Sequence, residues 1–218
     1  NAPVLLNYAI SPIPGIEALD DQKLSEKNEK TFNILKSILK EKKMKAATAA
    51  ISISNRTVFT RFVKMPFSDP KKLERLVHFE AQQQIPFPLE DVSWDYQIVG
   101  RNEELEFEIL IAAIKNEILD QQYESFNRIS VDPVIFDVGS LSTYNALFNG
   151  HIKPEEKVII LDIGFSPTTM IIHQPEGYWV RTLSFSSYAI TQTLMQEFNI
   201  SYEEAESLKY KGFIISDS

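Results

Sequence analysis

The chain has 218 residues, of which 44% are hydrophobic and 24% charged, enough apolar length for one or two buried cores. Thirty acidic against 22 basic side chains give a net charge of -8, a balance that repels a phosphate backbone and argues against nucleic-acid binding. The absence of cysteine excludes disulfides, zinc–thiolate sites and thiol nucleophiles; no run has the ~18 apolar residues of a membrane span, and no signal peptide is visible.

Residues 3–14, "PVLLNYAISPIP", read as extended, because their prolines exclude helix. From Lys23 to Lys43 the pattern is helical, with Phe32, Leu35, Ile38 and Leu39 on one face. Its basic end, "LKEKKMK" at 39–45, complements a helix dipole. Two apolar, β-branched runs at 46–54 and 57–65 flank Asn55-Arg56 and predict a hairpin, although the turn lacks glycine. Asp69 then caps a helix with Pro70 at its first position, and Pro86 and Pro88 end it. Paired strands at 92–99 and 105–114 and a helix at 116–128 complete a compact α+β module. A helix ending at Phe148 leads to strand, tight turn, strand, turn and strand, followed by helices at 187–198 and 202–210. Ser201 and Glu204 have the spacing of a capping box for the second of these.

The stretch with most chemical content is "VIILDIGFSPTTMII", residues 158–172. An apolar strand delivers Asp162 at its end, Gly164 bends the chain, and Thr168 and Thr169 begin the return. A phosphate group needs the close backbone approach that glycine permits, with hydroxyl or N–H donors, and a nearby carboxylate can hold hydrated Mg²⁺. A buried hairpin with Asp162 in an Asx turn needs the same residues, so the motif alone leaves both readings open. His78, His151 and His173 lack a second ligand at metal spacing, and no nucleophile elbow accompanies any serine.

Asp-Ile-Gly-x-x-x-Thr resembles the second phosphate loop of the actin-like ATPase superfamily. Within it, four stretches in order are similar to the PilM family of type IV pilus assembly, with FtsA and the cytoplasmic domain of GspL as neighbouring branches. They are "VFTRFVKMP" (58–66), "FEAQQQIPFPLEDVSWDYQ" (79–97), "LDIGFSPTT" (161–169) and "AITQTLMQEFNISYEEAESLK" (189–209). The resemblance implies an α/β, actin-like fold of two ribonuclease-H-like halves. Residues 1–66 and 129–150 would form an incomplete first half (1A-type), 67–128 an inserted 1C-type α+β subdomain, and 151–218 an incomplete second half (2A-type). The chain is expected to be a fragment lacking the first phosphate loop and the last subdomain.

The resemblance also implies ligands. Asp162, Gly164 and Thr168, with Thr169 beside them, would bind ATP or ADP, and Asp162 would hold Mg²⁺ through water. Glu206 and Lys209 match a helix whose side chains face the nucleoside in relatives; an ordinary i,i+3 charge pair on a solvated helix face fits the spacing equally. The partner would be the N-terminal cytoplasmic tail of a PilN-like single-span inner-membrane protein. Gln82, Gln83 and Gln84 offer amides suited to a peptide backbone, and Ile85, Pro86 and Phe87 form a rigid apolar knuckle; plugging the module's core is the knuckle's alternative use. Other pilus-assembly components and self-association are further partners the resemblance allows, and the location is cytoplasmic, peripheral to the inner membrane through the partner.

Three departures argue against rapid catalysis. Phe165, Ser166 and Pro167 stand where relatives often carry glycines, and proline offers no N–H. "SFSSYAIT" (184–191) replaces a Gly-Gly pair, and the first phosphate loop is missing. The expected function is therefore a scaffold that uses nucleotide as a structural or switching ligand, with no catalytic residue and at most slow ATP hydrolysis. An actin-like ATPase or small-molecule kinase, and a nucleotide-free protein-binding module, are the alternatives. The run "FEAQQQIPFPLE" favours a pilus over a type II secretion machine.

Overall fold

A computed structural model describes residues 7–13, 24–44, 48–66, 69–101, 106–165 and 167–211. Parts of several expectations lie outside these residues: the ends of the extended 3–14 segment, Lys23 of the first helix, Lys45 of the basic run, residues 46 and 47 of the first strand, the start at 105 of the later strand, and Ser166. The chain divides into two compact units.

The first unit comprises Asn1–Ile53, Phe87–Ser93 and Ile114–Asp137. Helix α1 (Leu24–Glu41) presents Phe32 edge-on to Phe126 of α3 (Asn116–Arg128), their ring centres 5.0 Å apart. This pair anchors the apolar stripe that the sequence spacing predicts. Strand β1 (Thr48–Ile53) pairs with β5 (Asp132–Val138). At the start of α3, Asn116 donates to the carbonyl of Glu90 at 3.0 Å and accepts from the hydroxyl of Ser93 at 2.8 Å. The 3-10 turn at Leu89–Asp91 is thereby tied to the helix.

The second unit comprises Ser54–Pro86, Trp94–Ala113 and Val138–Ser218. Its first sheet has the order β2-β4-β3, from β2 (Phe59–Met65), β3 (Val92–Arg101) and β4 (Phe107–Lys115). The central strand β4 is the most apolar and is buried over nearly its whole length, as its position requires. Helix α2 (Pro70–Gln84) is capped by the Asp69 carboxylate, which accepts from the Lys72 N–H at 3.0 Å. Leu73, Val77 and Ala81, four residues apart, form its buried stripe.

A second sheet, in the order β6-β7-β8, follows helix α4 (Gly139–Phe148). Strands β6 (Val158–Ile163), β7 (Thr168–Gln174) and β8 (Gly177–Leu183) are antiparallel, with Asp162 opposite Thr169 and Ile160 opposite Ile171. Val99, Leu110, Tyr144, Ile171 and Tyr178 form the core that joins this sheet to α4 and to strands β3 and β4. Helices α5 (Ser187–Phe198) and α6 (Tyr202–Lys211) close the unit. The Ser201–Glu204 capping box forms as expected: the Glu204 carboxylate accepts from the Ser201 N–H at 2.8 Å and from its hydroxyl at 2.9 Å.

The hairpin expected at 46–65 does not form: β1 pairs with β5, and β2 pairs antiparallel with β4 from Phe59–Ala113 to Met65–Phe107. Two-residue hairpins need positive φ at the turn, and neither Asn55 nor Arg56 adopts it. Val63 and Met65 instead find a long buried neighbour in β4.

Candidate functional site

The β6–β7 connection is built against the N terminus of α5. The Ser187 N–H donates to the carbonyl of Gly164 at 2.9 Å, and the Tyr188 N–H to that of Phe165 at 3.3 Å. A third N–H, of Ala189, is capped by the Ser186 hydroxyl at 3.0 Å. A peptide plane points its C=O and N–H in opposite directions. With the Gly164 carbonyl turned into α5, the N–H of Phe165 is therefore turned away from it. The Phe165 ring lies on Tyr188, with centres 4.8 Å apart, and Asp162 is exposed at the end of β6.

The two threonines face inward. Thr168 is 2% exposed, its N–H donates to the Phe185 carbonyl at 2.8 Å, and its buried hydroxyl has no partner among the described residues. The hydroxyl of Thr169 accepts from the Asn55 amide at 2.7 Å, across 114 residues of sequence. The same Asn55 side chain accepts from the N–H and the hydroxyl of Ser140, at the start of α4, at 3.2 and 3.1 Å. Nothing local in the sequence signals this junction; its one trace is an asparagine in a turn with no glycine.

Glu206 and Lys209 meet each other at 2.7 Å and clamp α6 to the first turns of α5. Lys209 reaches Thr191 at 2.7 Å and the hydroxyl and carbonyl of Ser187 at 2.9 and 3.2 Å, while Thr191 donates to Glu206. Partial burial raises the Glu206 pKa, but the hydrogen bonds from Lys209 and Thr191 and the Lys209 charge outweigh it, leaving the carboxyl below its ordinary 4.5. A carboxyl depressed on folding adds stability above its unfolded pKa, and loses it as pH falls through the folded value. Glu206→Gln should therefore flatten the acid side of the stability profile, below about pH 4.5, in thermal melts across pH 2.5–6. An acid limb as steep as that of the native chain would count against the clamp.

The predicted peptide-binding residues separate by burial. Gln82, Gln83 and Pro86 are exposed, whereas Ile85 is 4% exposed and belongs to the core. Gln84 is half-buried, accepts from Arg61 at 3.1 Å and donates to Glu80 at 2.7 Å. Phe87 is exposed beneath the Lys115 ammonium, which sits 4.9 Å from the ring centre. The plugging alternative describes Ile85, and the amide surface describes Gln82 and Gln83.

A groove of about 550 Å³ runs beside β2, within the stretch "VFTRFVKMP" to which the sequence reading assigns no site. All five residues Thr60–Lys64 line it, together with Glu108 of the neighbouring strand β4. Met170, Ile172 and Trp179 supply an apolar wall, with Arg61, Lys64 and Arg181 at its rim. Glu108 is buried there and accepts from the Trp179 indole N–H at 3.1 Å. Among the described residues there is no cluster of three or more histidine or carboxylate side chains fit to hold a metal, and no helix long and apolar enough to cross a membrane.

Residues 4–217 match the family profile described as type IV pilus assembly protein PilM. The chain belongs to this family. A solved structure described as the PilM–PilN type IV pilus biogenesis complex is similar at 24% identity with a TM-score of 0.72, covering 92% of this chain and 60% of that one. At that identity the likeness establishes the fold, the α/β, actin-like arrangement expected from the sequence. The chain spans about 60% of the solved relative's length. The cytoplasmic domain of EpsL, an inner-membrane component of the type II secretion system of Vibrio cholerae, is matched at 10% identity over 78% of this chain and 63% of that domain. Its TM-score of 0.47 is too low to carry argument.

Proposed function

We propose that this PilM-family chain is a scaffold of type IV pilus assembly that holds the extended N-terminal cytoplasmic tail of a PilN-like inner-membrane protein. The solved relative was obtained as a PilM–PilN complex, which makes a PilN-like protein the natural partner, and the sequence resemblance points to its N-terminal tail as the part that docks. The groove along β2 carries the reading. Among the described residues β2 is the outer strand of its sheet, so the backbone groups on its free side can pair with an added strand. Apolar side chains of that strand would rest on Met170, Ile172 and Trp179, while Gln84 holds Arg61 at the rim. Membrane association then comes through the partner, and the 1A-, 1C- and 2A-type division of the chain is kept as part of this reading.

A nucleotide, ATP or ADP with Mg²⁺, is the second ligand we propose, at the end of β6. The outward N–H of Phe165, the close approach at Gly164 and the exposed Asp162 carboxylate suit a phosphate with a hydrated cation. Thr168, Thr169, Glu206 and Lys209 take part by holding the hairpin and the α5–α6 corner in place, since their polar atoms are buried or bonded within the chain. Bound there, nucleotide would supply charge and rigidity rather than chemistry, because among the described residues no group beside Asp162 is placed to activate water.

Calorimetric titration tests both parts. A synthetic peptide of the PilN-like tail should bind the chain, and Met170→Lys, which sets an ammonium in the apolar wall, should weaken it at least ~10-fold, or about 1.4 kcal/mol. Mg-ATP should bind at micromolar concentration and lose that binding in Asp162→Ala. Tail binding untouched by Met170→Lys would remove the groove from the proposal, and nucleotide binding untouched by Asp162→Ala would remove the loop.

A further inference from the structure

We infer that Asn55 couples the nucleotide loop to the partner groove, as a positioning residue that touches neither ligand. The inference rests on the proposed function above and names the residue through which its two sites sense each other. Asn55 lies in the turn that leads into β2, and its amide makes three long-range hydrogen bonds. Ser140 presents an N–H, which can only donate, so the Asn55 oxygen must face it and the NH₂ must face Thr169. The side chain thus has one orientation, fixed at both ends.

Each end leads to a proposed site. Thr169 stands opposite Asp162 across the β6–β7 ladder, so a cation or phosphate that shifts the end of β6 acts on Thr169 through the strand pairing. In the other direction the turn continues within five residues into Thr60–Lys64, the wall of the groove. There Arg61 donates to Gln84, extending the connection to the end of α2. Ser140 supplies a fixed reference, because α4 carries Tyr144 in the buried core. Asn55 is therefore held against a rigid helix on one side and a ligand-sensitive hairpin on the other. A displacement of Thr169 is passed to β2 rather than lost in a loop.

The test is the ratio of tail-peptide Kd with and without saturating Mg-ATP, by calorimetry on the whole chain. The native ratio should differ from one by roughly tenfold, within the usual range of coupling between sites. Asn55→Ala and Thr169→Val, each measured at Mg-ATP that saturates the variant, should bring the ratio close to one, and Asn55→Ala should leave each ligand alone within about threefold of its native affinity. Thr169→Val nearly keeps the side-chain shape, so it stands in if Asn55→Ala fails to fold. A native ratio of one, with both ligands bound, overturns the coupling and leaves the proposed function standing. So does a ratio unchanged in both variants. If the native chain binds neither ligand, the proposed function falls and the inference with it.

Discussion

Gly100→Ala is expected to destabilise the second unit by about 3 kcal/mol, a large part of the ~5–15 kcal/mol that separates folded from unfolded chains. A Cβ at Gly100 would lie 2.0 Å from the Glu176 carbonyl oxygen and 3.1 Å from the Gly177 Cα, both backbone atoms that no rotamer change can move. The approach is reciprocal. Gly177 adopts φ +154, and a Cβ there would lie 2.6 Å from the Val99 carbonyl oxygen. β3 and the β7–β8 turn are pressed together at these two glycines, and the Arg101 N–H donates to the Glu176 carbonyl at 3.2 Å. An added methyl must push the strands apart, which also separates Val99 from Tyr178 in the core. Gly150→Ala is the control, because its nearest contact is 3.9 Å away, and it should change stability by less than ~0.5 kcal/mol. Urea denaturation of the two variants settles the matter; equal midpoints would mean that β3 does not rest on the β7–β8 turn.

The elements legible in the sequence are those whose signals are local. Asp69-Pro70 and Ser201–Glu204 fix the starts of α2 and α6, because the capping partners lie within three residues. The apolar run of β4 places that strand inside a sheet, and "DIG" marks a strand end. Pairing was legible only where the strands adjoin in sequence, as in β3–β4 and β6–β7–β8. β1 and β2 adjoin too, yet each takes a distant neighbour, since burial beside β4 outweighs a turn that lacks glycine and in which neither Asn55 nor Arg56 adopts positive φ.

The candidate site divides in the same way. Asp162 and Gly164 stand out as an acid and a glycine at the end of an apolar strand, a pattern that a plain hairpin turn shares. Glu206 and Lys209 show their spacing in the sequence, but not the Thr191 and Ser187 contacts that make them a clamp between helices. Ile85 reads as a knuckle from its neighbouring prolines, and only tertiary packing reveals that it turns into the core. The role of Asn55 could not be read from the sequence, where it is only an asparagine in a turn with no glycine, since its partners lie 85 and 114 residues away.

Ile171→Ala and Ile159→Ala should give opposite results, although both remove the same atoms from neighbouring strands. Ile171 is fully buried in the central strand, between Tyr144, Tyr178, Leu110 and Val99, and its loss leaves a cavity that should cost about 3–4 kcal/mol. Ile159 is 65% exposed on the opposite face of β6 and should cost less than ~1 kcal/mol. The two-residue period of a strand sets the difference, because Ile160 is the residue that faces the core beside Ile171. Parallel urea titrations would show equal losses if the sheet buried its other face instead. The comparison also bears on ligand coupling. Ile171 shares its face of β7 with Thr169, two residues earlier, so a cavity at Ile171 loosens the floor under the Asn55 contact. Ile171→Ala that still folds should therefore weaken communication between the nucleotide loop and the groove, whereas Ile159→Ala should leave it intact.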